Sequence, residues 1–200
     1  ATSDPDAEVD RDADFPFLRR RGPLALVGLS TALPSAPGFA TGRLGAGQLD
    51  RLDRLLERLG HERCCRVVLA HHSPIDGLSR RRRRLIDAAE LRSCIARHGA
   101  DLVLHGHEHA FSFDQIPGAN GPIPVFGTPS ASRLAAGSEL MAQYQIYEIE
   151  GRGSGWRVVA ESRVYCPASA SFVRRVRREV VERDGVLARW PRPSEIVLCD

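Results

Sequence analysis

"VVLAHHSP" (residues 67–74) and "LVLHGHEH" (residues 102–109) each run a short aliphatic stretch directly into histidines. Such runs, bounded by polar residues, read as buried strands. Between them, "DAAELRSCIARHG" (87–99) has helical spacing, with Asp87 and Glu90 at capping-box positions and Gly99 at a C-terminal stop. Strand, helix and strand over about 40 residues form a βαβ unit, whose two strands run parallel. Parallel strands finish at the same edge of a sheet, and the carboxyl edge is where open α/β sheets hold their ligands. Five of the seven histidines (His71, His72, His105, His107 and His109) are thereby directed to one edge.

Further along the chain the same signals recur. "AGQLDRLDRLLERLG" (46–60) sets Leu49, Leu52, Leu55, Leu56 and Leu59 on one helical face, with Gly60 as a stop. "PLALVGLS" (23–30) upstream, and "PIPVFG" (122–127), "AQYQIYEIE" (142–150) and "GWRVVAES" (155–162) downstream, read as strands. The fold class is therefore α/β. Residues 1–14 read as a flexible acidic entry, 15–163 as the main domain, and 164–200 as a basic tail. In that tail "SFVRRVRREVVE" places Phe172, Val173, Val176 and Val180 on one side of a predicted terminal helix.

Composition narrows the classes. With 200 residues and 42% hydrophobic content the chain can bury a sizeable core. A net charge of +3 gives no general attraction to nucleic acid, and no apolar run approaches the length of a membrane span. Cys64, Cys65, Cys94, Cys166 and Cys199 are an odd set without a Cys-x-x-Cys pair, which points to reduced thiols and a cytoplasmic location. The only methionine is Met141, and the chain reads as part of a longer protein.

The chemistry sits in the histidines. In an extended segment His107 and His109, two apart, project to one side and can share a metal, while Glu108 faces the other way. Gly106 suits a sharp exit from the sheet. Imidazole is a common ligand for zinc, iron and manganese. We take His71, His107 and His109 as the candidate ligands. His72, His105, Glu108, Arg80 and Arg81 are candidates for supporting a ligand or lining the substrate rim.

"AHHSP" and "GHEH" resemble two motifs of the calcineurin-like metallophosphoesterases, notably the branch that includes cyclic-nucleotide phosphodiesterases. Ser73 stands where that family usually has the first proline of His-His-Pro-Pro. "FLRRRGPLALVGLS", "GRLGAGQLDRL" and "PIPVFGTPSAS" extend the resemblance over residues 15 to 162. It implies an α/β sandwich of mixed sheets flanked by helices, a pair of divalent metals (Mn, Fe or Zn) and a phosphate ester substrate. It also implies that His71 and His107 bind one metal and His109 the other. In that family an Asp-x-His, a Gly-Asp-x-x-Asp and a Gly-Asn-His come earlier and supply the remaining ligands and the catalytic histidine; none of them occurs in these 200 residues.

The expected function is therefore a metal-dependent phosphoester hydrolase represented by its carboxyl-terminal half, weak or inactive by itself, with no catalytic residue retained. Exposed apolar surface or a bare strand edge near "PLALVGLS" would favour association with another chain. Two alternatives stand beside this reading. One is a non-catalytic remnant that keeps a histidine metal site. The other is a serine esterase using Ser30 in "LVGLS", although Thr31, Ala32, Leu33 and Pro34 follow it where a nucleophile elbow needs a glycine and a helix.

Overall fold

The computed structural model describes residues 15–133, 141–153, 155–180 and 190, so the acidic entry, Cys199 and most of the chain after Val180 lie outside the described residues. Two compact units emerge. Unit 1 comprises the chain up to His105 together with Asp114–Val125, and unit 2 comprises Gly106–Phe113 and the chain from Phe126 onward.

Unit 1 is built around a mixed α/β arrangement. Strands β1 (Phe17–Arg21), β2 (Leu24–Gly28), β3 (Cys65–Leu69), β4 (Leu102–His105), β5 (Ser112–Gly118) and β6 (Gly121–Gly127) form a six-stranded sheet in the order β1-β2-β3-β4-β6-β5. Helix α1 (Ala46–Gly60) connects β2 to β3, and α2 (Ala88–His98) connects β3 to β4. β2, β3 and β4 are parallel neighbours, as their helical crossovers require, and β1 closes on β2 as an antiparallel hairpin. The leucine face of α1 is the face that is buried: Leu52, Leu56 and Leu59 are fully enclosed. With Leu91 and Ile95 of α2 they form one core against Val27, Val68, Val103 and Val125 of successive strands. Val67 and Leu102 are also shut from solvent, which explains why β3 and β4 read as unbroken aliphatic runs instead of alternating ones.

"PLALVGLS" is not a bare edge. Its strand, β2, lies between β1 and β3, and the sheet ends at β1, where Arg19, Arg20 and Arg21 supply the charge that discourages edge-to-edge pairing. Among the described residues no helix is long and apolar enough to cross a membrane.

The two helices share a polar pin. Asp53 Oδ1 accepts from His98 Nε2 at 2.9 Å and from Arg97 Nη1 at 2.8 Å. The His98 hydrogen bond, with smaller charge effects from His98 and Arg97, holds the Asp53 carboxyl below its ordinary 3.8. A lowered acid pKa stabilises the folded state above the ordinary value, and that contribution disappears as pH falls through the folded pKa. Because Asp53 is partly exposed, the effect is below about 1 kcal/mol. Urea unfolding of Asp53→Asn should show a small loss of stability near neutral pH that closes between about pH 5 and pH 2. A gap of constant size across that range would assign the loss to packing instead of charge.

Unit 2 holds a three-stranded antiparallel sheet, β7 (Gln143–Arg152), β8 (Gly155–Cys166) and β9 (Ser171–Glu179), in sequence order. β8 continues through Cys166, across the boundary drawn at 163/164, and the predicted terminal helix is a strand over Ser171–Glu179. The reason lies in a bulge. Val164 pairs with Val173 and Ser162 with Val176, so three steps on β9 face two on β8, with Arg175 as the extra residue. The bulge brings Val173 and Val176 to one face, a spacing that otherwise belongs to a helix. The arginines then meet carboxylates across the sheet. Glu161, almost fully buried, takes Arg163 at 2.5 Å, Arg174 at 3.2 Å and Arg177 at 3.4 Å. An aromatic group forms the other part of this unit's core: Phe113 and Trp190 lie 4.6 and 5.2 Å from Phe126 by ring centroid, and Phe111 stacks on Trp190.

The cysteines correct a second expectation. Cys166 is disulfide-bonded, while Cys64, Cys65 and Cys94 are free and buried. Burial pushes the Cys65 and Cys94 thiols up to about 12, so they are packing residues with little nucleophilic character.

Candidate metal centre

Because β3 and β4 are adjacent and parallel, with Ala70 N donating to Leu104 O at 3.0 Å, the two strands of unit 1 that run into histidines end at the same sheet edge. His71 is exposed there, with its ring edge-on to that of His72 at 5.0 Å. His72 is 4% exposed, and both of its nitrogens are engaged. Nε2 donates to the carbonyl of Ala40 at 3.0 Å, and Nδ1 lies 2.7 Å from the Thr31 hydroxyl, which can give or take the hydrogen bond. A ring held at both ends has no nitrogen left for a metal. What it does is tie the turn bearing His71 to the segment that follows β2. Gly42 makes room for it, since a Cβ there would fall 2.4 Å from His72 Nδ1.

His105 closes β4 and is buried. Its neighbour is Asp114 on β5, whose carboxyl is pushed up by burial and pulled back in part by the charge of His105. Asp114 did not stand out in the sequence, where "FSFDQIPG" offers no motif around it. Two other buried polar residues have roles that their sequence context did not show. Gln48 on α1 accepts from Ser30 N at 2.9 Å and donates to Ser30 O at 2.8 Å. Asp87, placed as a helix cap, makes no side-chain cap bond; it accepts instead from Leu44 N and Gly45 N at 2.8–3.0 Å. Arg80 is exposed, and Arg81 borders a cavity that no histidine lines.

In unit 2 the Gly-His-Glu-His segment departs from the extended geometry expected of it. His107 and His109 have φ of +67° and +55°, and Glu108 N donates to Gly106 O at 2.8 Å in a tight turn. The alternation rule that placed the two rings on one side and Glu108 opposite therefore does not apply. Left-handed backbone costs a non-glycine residue roughly 1–2 kcal/mol, and such strain gathers at ligand clamps. His107 Nε2 is enclosed, Glu108 is half-buried and His109 is exposed.

As donors, His71, His107 and His109 suit a divalent transition metal such as Mn, Fe or Zn. Among the described residues, however, no three His, Cys, Asp or Glu side chains are gathered so as to hold an ion by themselves. Ser30 is not built as a nucleophile: its φ is not left-handed, and the next helix begins only at Ala46. In comparison with known proteins, the chain matches no family model and no curated sequence.

Proposed function

We propose that this chain carries histidine ligands of a metal-dependent phosphoester hydrolase of the calcineurin-like metallophosphoesterase type, and that it is a weak or inactive catalyst by itself. The observation that carries the reading is the adjacent, parallel pairing of β3 and β4, each of which runs into histidines at one sheet edge. The left-handed backbone at His107 and His109 supports it. In this reading the α/β sheet is part of the family's sandwich, His71 and His107 serve one metal and His109 the other, and the substrate is a phosphate ester. When bound, the metal pair supplies Lewis-acid polarisation of the phosphoryl group. The chain's own residues then act by position. His72, bonded at both nitrogens, orients the turn of His71.

Titrating the chain with Mn²⁺ or Zn²⁺ by calorimetry, alongside hydrolysis of a generic phosphodiester, tests this. Metal should bind, turnover should be slight and chelator-sensitive, and His107→Ala should weaken binding by at least about tenfold. Unchanged metal binding in His107→Ala would sink the reading. Metal binding with no turnover at all would favour a non-catalytic histidine site.

A further inference from the structure

Unit 1 contains a cavity of about 400 Å³ between the turn after β3 and the start of α2, bordered by Ile75, Asp76, Arg81, Arg84, Ile86 and Arg92. Its charges do not balance. Arg92 donates to Pro74 O at 2.6 Å and to the Asp76 carboxylate, so these two opposite charges cancel. Arg81 and Arg84 have no side-chain hydrogen bond or ion pair among the described residues, which leaves two uncompensated guanidinium groups in the lining. Ala88 and Ala89 of the first turn of α2 line the same cavity, where the Asp87 carboxylate at the N-cap and Glu90 in that turn offset the helix dipole, so the positive charge of the site is that of its arginines.

Ile75, Leu85 and Ile86 give the lining an apolar part beside Ser73 and Ser79, and Ile86 is 51% exposed although it is a large aliphatic residue. A volume near 400 Å³ is larger than a bare inorganic anion needs and falls in the usual range for small organic ligands. The geometry points to a binding site for a small organic phosphate, with its phosphoryl group between Arg81 and Arg84 and its organic portion against Ile75 and Ile86. Guanidinium forks suit phosphoryl oxygens, which accept two parallel N–H bonds from each. No histidine lines this cavity, so the site stands whether or not the metal reading does.

The test is calorimetric titration of the full chain in metal-free buffer containing a chelator, with phenyl phosphate as the probe and inorganic phosphate and benzoate at matched ionic strength for comparison. Phenyl phosphate should bind saturably, at least tenfold tighter than either comparison ligand. The double variant Arg81→Ser/Arg84→Ser should lose at least tenfold in affinity. Arg82→Ser/Arg83→Ser removes the same charge from residues that do not line the cavity and should bind as the parent does, as should His107→Ala. Circular dichroism confirms that each variant is folded. Equal losses in the two double variants would reduce the site to diffuse charge and overturn it. So would unchanged affinity in Arg81→Ser/Arg84→Ser, equal binding of benzoate, or loss of binding in His107→Ala.

Discussion

Replacing Asp87 by alanine is expected to lower the stability of unit 1 by about 3 kcal/mol, the removal of a buried charged acceptor leaving backbone donors unpaired. The carboxylate is 7% exposed and receives Leu44 N on both oxygens and Gly45 N on one, at 2.8–3.0 Å. Leu44 is itself buried, so water cannot replace the lost acceptor without opening the core. The effect reaches beyond one bond, because Asp87 begins α2 while Leu44 and Gly45 lead into α1. Urea unfolding should show a midpoint lowered by roughly 1–2 M. Asp87→Asn keeps one oxygen acceptor and should lose about a third as much. Equal losses in the two variants would mean that the negative charge, and not the acceptor, is what the loop requires.

Gly42→Ala is expected to cost about 3 kcal/mol as well, combining overpacking with the disruption of two buried hydrogen bonds. The added Cβ would come within 2.4–2.7 Å of the His72 ring, which cannot step aside without leaving Thr31 or the carbonyl of Ala40. The backbone on the other side is fixed too: Gly42 N donates to Arg84 O, and Ile86 N donates to Gly42 O. Thermal unfolding gives the size of the loss. The diagnostic measurement is the pairing of Gly42→Ala with His72→Ala, since the smaller side chain makes room for the new methyl group. The double variant should be less destabilised than the sum of the two single variants by about 1 kcal/mol or more. Strict additivity would show that the ring is not what Gly42 accommodates.

Much of unit 1 could be read from residue patterns because its signals are local. The leucines of α1 repeat at helical spacing and the aliphatic runs of β3 and β4 stop at polar residues, so those elements and their parallel order needed no knowledge of the rest of the chain. Where the reading failed, the deciding partner was distant or the backbone was unusual. Val173 and Val176 look helical until β8 is beside them and Arg175 bulges out. Asp87 has cap spacing, but amides some 40 residues away claim its carboxylate. Nothing in the letters His-Glu-His announces a left-handed backbone, which residue propensities disfavour. The histidines themselves were visible. Which of them keep a nitrogen free was not, since the engagement of both His72 nitrogens depends on Thr31 and Ala40.

The topology of the two sheets also sets the order in which they can assemble. Leu24 must find Cys65, and Val67 must find Leu102, before β2, β3 and β4 are paired, so each contact closes a long loop. The β7-β8-β9 meander closes only short turns, such as the one between Cys166 and Ser171. Pairings of low sequence separation form early, whereas parallel strands joined by crossovers are slow. Until both crossovers close, Val67–Leu69 and Leu102–Leu104 are bare aliphatic strands, the species that aggregates during refolding. The edge that carries His71 and His105 is thus expected to be the late product of assembly, and losses on refolding should trace to the parallel strands and not to the arginine-rich meander.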